Sequence, residues 1–161
     1  MTRDEVLMVR TADWTTEDRA ALIAVVAALR PSAHHLGDAL DWLDDVAARD
    51  GVHPGEVLAD PTLRTAFAAR GSAPDRWKRW KDALRRLRYP RLAAREREFR
   101  ETVRALDLGR AVTVAPPADF EGGVVTVTLR VSSEADLAEV GERLVKAQRA
   151  GTWSRLFGLL G

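Results

Sequence analysis

The chain has 161 residues, no cysteine, and 25 Lys and Arg against 24 Asp and Glu, for a net charge of +1. The lack of cysteine excludes disulfide frameworks, thiolate metal sites and thiol catalysis, while the length is enough to bury a sizeable core. The longest apolar run, Ala20 to Leu29, is too short to span a bilayer, and the N-terminus lacks the pattern of a secretion signal, so a cytoplasmic location with no membrane partner is expected.

Taken in chain order, Val6 to Val9 is ambiguous. It reads as a short buried strand or as the start of a helix capped by Thr2, with Glu5 three positions on. Thr15 with Asp18 starts a helix whose run Ala20–Leu29 is apolar on nearly every side, which predicts a central, buried position. Pro31 ends it. Ser32 caps the next helix, with Leu36, Leu40, Leu43 and Val46 at core spacing and Gly51 at the stop. The opposite face carries Asp38, Asp41, Asp44 and Asp45. After a short turn at Pro54–Leu58, Asp60-Pro61 opens a short helix that Gly71 closes. Ser72 and Pro74 then start a basic helix whose Trp77, Trp80, Leu84 and Leu87 form an inward stripe. Tyr89-Pro90 breaks or kinks the chain. A second basic helix runs to about Leu106, with Leu92, Phe99, Val103 and Leu106 inward.

The pattern changes after Gly109. Ala111–Val114 and Val124–Val131 alternate as strands, with Val125, Val127, Leu129 and Val131 on one face, and the loop between them holds Pro116-Pro117 and Gly122-Gly123. Ser133 with Asp136 caps a helix bearing Leu137, Val140 and Leu144. Gly151-Thr152 begins an apolar tail with Trp153, Leu156, Phe157, Leu159 and Leu160. The fold class expected is α+β: a helical bundle over residues 1–89, then an αββα module over 90–161, packed together as one compact unit. A two-stranded sheet is marginal alone, so either Val6–Val9 adds a strand or the hairpin pairs with its copy. The tail also favours a partner surface, and a homodimer is expected, with Val125, Val127, Leu129, Trp153, Leu156 and Phe157 as dimer or partner contacts.

Over about residues 95–148, the order is a charged helix, Val112-Thr-Val114, a Gly-containing loop, Val125-Thr-Val-Thr-Leu129, then Ser132-Ser133-Glu134 and a Leu-bearing helix. This resembles the C-terminal dimerisation module of ParB-type chromosome-partition proteins. The resemblance implies hairpins of two chains joined into one sheet, and DNA binding without sequence preference. The chain departs from the family in lacking its nucleotide-binding arginine motif and a helix-turn-helix. The family's DNA-contacting lysines lie on the sheet, whereas the outward positions here are Val124, Thr126, Thr128 and Arg130.

The charge distribution supplies the main functional lead. Between Arg76 and Arg104 stand twelve Lys or Arg and four acids, while Asp38 to Asp60 holds seven acids and one Arg. Lys78, Lys81, Arg85, Arg86, Arg88, Arg91 and Arg95 are candidate contacts to nucleic acid or to an acidic partner. The competing reading is neutralisation by the acidic helix and by local pairs such as Glu96–Arg100 and Glu101–Arg97. Trp77 and Trp80 sit on the inward stripe and belong to the core rather than to a base-stacking surface. His34, His35, Asp38 and Asp41 lack the ligand number of a zinc site. The loop Asp119-Phe-Glu121-Gly-Gly123 lacks phosphate-loop spacing. No catalytic, cofactor or metal residue is assigned. The function expected is that of a non-catalytic dimerising interaction protein of bacterial nucleoid or partition type with nonspecific DNA contact, or alternatively an accessory subunit docking through the tail and basic helices.

Overall fold

The computed structural model describes residues 2–160, with the side chain of Asp119 outside the described set. The fold is α+β and mostly helical, with a two-stranded antiparallel hairpin near the C-terminus followed by helix. The chain divides at Tyr89/Pro90 into two units, residues 1–89 and 90–161.

The first unit is all-helical. Helix α1 (Arg3–Arg10) opens on a capping box. The Thr2 N–H donates to the Glu5 carboxylate at 2.7 Å, and the Glu5 N–H donates to the Thr2 hydroxyl at 3.2 Å. Two backbone donors are thereby satisfied reciprocally, which fixes Val6–Val9 as helix and removes the strand alternative. Helix α2 (Thr16–Leu29) is capped by Thr15. It buries Leu22, Val25, Val26 and Leu29, but Ile23 is 48% exposed. The expectation of an all-round buried helix is therefore corrected. Its alanines are small enough to face solvent at little cost, and only the i, i+3, i+4, i+7 set turns inward.

Helix α3 (Ala33–Asp50) buries Leu36, Ala39, Leu40, Leu43, Val46 and Ala47, and Gly51 ends it in the left-handed region at φ 68°. A five-residue helix, α4 (Pro54–Leu58), and α5 (Pro61–Ala68) follow, the latter with Asp60 as N-cap and Ala69, not Gly71, as its C-terminal stop. Helix α6 (Ala73–Arg88) is capped by Ser72 and packs on α3 and α5. Trp77 and Trp80 stack at 5.3 Å between ring centroids, and Leu84 is fully buried beside them. This stripe joins the leucines of α3 in one core.

The second unit starts with α7 (Pro90–Ala105), in which Pro90 occupies the first helical position, where no N–H is needed. Strands β1 (Val112–Ala115) and β2 (Thr126–Leu129) pair antiparallel, with Val112 opposite Leu129 and Val114 opposite Val127. Strand β2 is shorter than the alternating stretch Val124–Val131 predicts, whereas β1 keeps the expected length one residue further along. A single 3₁₀ turn at Ala118–Phe120 sits in the connecting loop and brings the Phe120 ring edge-on to Phe99 at 5.5 Å. Phe120 holds φ at 60°, unusual for a residue other than glycine, and its burial in the core is what holds it there. Helices α8 (Glu134–Arg149) and α9 (Thr152–Gly158) complete the unit. Its core comprises Phe99, Leu106, Leu108, Phe120, Ala147, Leu156 and Leu160.

Trp80 is 1% exposed and Met8 is 76% exposed, so their truncation separates core from surface. Trp80→Ala is expected to destabilise the first unit by about 3–5 kcal/mol, and Met8→Ala by less than about 0.5 kcal/mol. Urea unfolding followed by circular dichroism measures both.

Candidate functional site

The acidic face of α3 and the basic face of α6 meet within the first unit. Lys81 donates to Asp38 at 2.8 Å, and Arg88 reaches Asp45 at 2.6 Å. Lys81 Nζ also lies 4.9 Å from the centroid of the Trp42 ring and the Arg88 guanidinium 5.5 Å from it, so a single indole of α3 faces two cations of α6. Arg49 of α3 donates to the carbonyl oxygens of Leu87 at 2.6 Å and Arg88 at 3.2 Å, satisfying the C-terminal end of α6. From the other side, Arg10 of α1 bridges Asp41 at 2.7 Å and Asp44 at 2.6 Å. All four aspartates on the polar side of α3 therefore have a cationic partner.

The titration behaviour follows from this geometry. The hydrogen bond from Lys81 holds the Asp38 carboxyl below its ordinary 3.8; desolvation opposes it, and the Lys81 charge adds a lesser lowering effect. The hydrogen bonds that Arg10 donates to Asp41 and then to Asp44 hold its guanidinium pKa above the ordinary value. Over residues 1–89 the charges cancel, with fourteen Lys or Arg and fourteen Asp or Glu.

This neutralisation sorts the candidate contacts. Lys81 and Arg88 are engaged by the chain's own acids. Arg85 is partly buried and also engaged. Lys78 and Arg86 remain exposed on α6, and Arg91 and Arg95 are exposed on α7. Glu96 is engaged, while the expected local pair Glu101–Arg97 does not form among the described residues. Arg97, Arg100 and Arg104 form an exposed row at i, i+3 and i+7, beyond the candidates placed on α6 and the start of α7.

The apolar candidates also separate. Leu156 is 0% exposed and packs in the core of its own unit, which corrects its reading as a surface contact. Trp153 and Val125 are partly buried against the same core. Phe157 remains 48% exposed and stacks on Trp153 at 6.2 Å. On the hairpin, Val127 is 40% and Leu129 39% exposed, with Val131 beside them. The bond from the Arg130 N–H to the Ala111 carbonyl at 2.8 Å sets the ladder alternation. In that alternation the N–H and C=O groups of Val112, Val114, Val127 and Leu129 turn away from the paired strand, towards the two edges.

The histidine and aspartate group does not converge. The His34 side chain is 84% exposed and stands 3.9 Å from Asp38, while Asp41 is taken by Arg10. Among the described residues no three such groups are placed to hold a metal ion, and no helix is long and apolar enough to cross a membrane.

No protein-family model matches the chain, and neither the curated proteins nor the solved structures contain a match to it.

The Asp38–Lys81 pair has a signed pH dependence. A carboxyl whose folded value lies below its unfolded 3.8 stabilises fully above that pH, and the contribution is lost as the pH falls from 3.8 through the lowered value. Because both side chains are partly exposed, Lys81→Gln is expected to cost only about 0.5–1 kcal/mol at pH 7. Urea unfolding of both proteins should show that difference shrinking as the pH falls below 3.8; a difference constant with pH would contradict the pairing.

Proposed function

We propose that the chain is a non-catalytic, self-associating interaction protein that dimerises through the hairpin of its second unit. The observation that carries this reading is the half-exposed apolar face of β1–β2. Val127 and Leu129, on a sheet of two four-residue strands, and Val131 just past its end are each close to 40% exposed. A sheet of that size is marginal in water, and its edge groups favour pairing with another strand. A second copy meets both demands at once, because an isologous contact places equal edges and equal apolar faces opposite each other. The resemblance to the ParB-type dimerisation module points the same way.

Sedimentation equilibrium tests it. The wild type is expected at twice the 17.8 kDa chain mass, and Val127→Arg with Leu129→Arg at the chain mass, with the helical circular dichroism retained. A wild type that remains monomeric at high micromolar concentration would overturn self-association and favour docking on a different protein.

Nonspecific contact with a polyanion is a second reading, favoured by the exposed row Arg97, Arg100 and Arg104 and the nearby Arg91 and Arg95 of α7. It moves the candidate nucleic-acid face from α6, where the charges are largely used within the bundle, to α7. Each phosphate neutralised contributes roughly 0.9 to the slope of log affinity against log salt. Changing Arg97, Arg100 and Arg104 to Glu is expected to abolish duplex DNA binding at 50–100 mM salt, roughly the range in which such contacts dominate. Changing Lys81 to Gln should leave it unaltered. Binding lost with Lys81 but kept without the α7 row would reverse that assignment.

A further inference from the structure

Several cations of the first unit take no part in its ion pairs, and two of them, Arg30 and Lys78, border one open cleft of about 690 Å³. One wall is the turn from α2 into α3, Arg30-Pro31-Ser32, and the other is the first turns of α6. Arg30 and Lys78 are exposed at its rim. Neither has an ion-pair or side-chain hydrogen-bond partner among the described residues, unlike Arg10, Arg19, Arg49, Lys81 and Arg88 around them. His35 adds an imidazole to the same lining.

Arg30 is informative for its backbone as well. It ends α2 in the left-handed region, at φ 50° and ψ 50°. Glycine takes that conformation without penalty and is the usual residue there. A strained arginine directly before Pro31 places a guanidinium where a cheaper residue would serve the turn.

The floor of the cleft is apolar, formed by Leu29, Pro31, Pro74 and the remaining accessible edge of Trp77. The N-terminal ends of α3 and α6 both open on it, adding a positive backbone field to the side chains. Lys81 also lines it but is held by Asp38, and Asp82 contributes one carboxylate. Two unused cations therefore outweigh one acid. An apolar floor with a few convergent polar groups at the rim is the usual form of a small-molecule site.

We propose that this cleft binds a small amphipathic anion, an aromatic or aliphatic body carrying a phosphate or a carboxylate. Arg30 and Lys78 engage the anionic group, and the proline and indole surfaces take the body. The site uses none of the hairpin residues, so it stands or falls apart from self-association.

Titration of the ¹⁵N-labelled full chain, read from the Trp77 indole N–H resonance, tests the proposal with three probes. These are phenyl phosphate, phenylacetate and the neutral benzyl alcohol. A saturable shift is expected with at least one anion, with a dissociation constant on the order of 1 mM or tighter, and the tighter anion identifies the head group. Benzyl alcohol should bind at least about tenfold more weakly. Arg30→Gly suits the left-handed turn, so it should keep or raise the melting temperature while weakening the anion about tenfold. Lys78→Gln should weaken it similarly, and the exposed control Arg64→Gln should not. The proposal is overturned if neither anion gives a saturable shift, if benzyl alcohol binds as tightly, or if Arg30→Gly and Lys78→Gln both bind as the wild type does. Retained binding in the Val127→Arg, Leu129→Arg protein would confirm that the site is separate from the hairpin face.

Discussion

The first unit depends on a double requirement placed on α6. Its Trp77, Trp80 and Leu84 must be buried, yet the cations flanking that stripe cannot follow them inward unpaired. Helix α3 meets both requirements. Its leucines take the apolar stripe, and Asp38 and Asp45 at the edges of the same interface take Lys81 and Arg88. The stabilisation comes mainly from the apolar burial, since partly exposed ion pairs contribute little each. The pairs instead fix how α6 lies on α3, because an alternative rotation would leave four charges without partners. Arg49 at the end of α6 and Arg10 on the outer side of α3 extend the same pattern to the backbone and to α1.

The second unit solves a different problem with fewer resources. Its core draws Phe99 from α7, Phe120 from the hairpin loop and Leu156 and Leu160 from the C-terminal segment. That set covers Val112, Val114 and Val125 in part and leaves Val127, Leu129 and Val131 half in water. A second copy would complete this face, and the exposed arginines of α7 would then be presented twice on one particle. The cleft at the start of α6 belongs to the first unit and would add a ligand-responsive element independent of that assembly.

Helix ends were the most legible part of the sequence. Thr2, Thr15, Ser32, Asp60, Ser72 and Ser133 each accept a backbone N–H at the start of a helix, because capping is local and the residue types are few. The inward stripe of α6 was legible for the same reason. Charge partners were not, since Asp38 and Lys81 are 43 residues apart and sign alone does not select a partner. The Glu101–Arg97 pair expected on α7 does not form, since an exposed i,i+4 contact gains little against the cost of holding two long side chains in place. Adjacent residues of α9 went opposite ways, Leu156 inward and Phe157 outward. A seven-residue helix with five large apolar residues in and around it gives no periodicity from which to choose.

The mutual neutralisation of α3 and α6 is tested most directly by reversing charge across both pairs. One protein carries Asp38→Lys and Asp45→Arg, a second carries Lys81→Asp and Arg88→Asp, and a third carries all four changes. Urea unfolding at low salt is expected to show both partial reversals destabilised and the fourfold protein recovering part of the loss, a coupling of roughly 1–2 kcal/mol over the two pairs. In about 1 M salt the coupling should shrink. Losses that simply add in the fourfold protein would contradict the account.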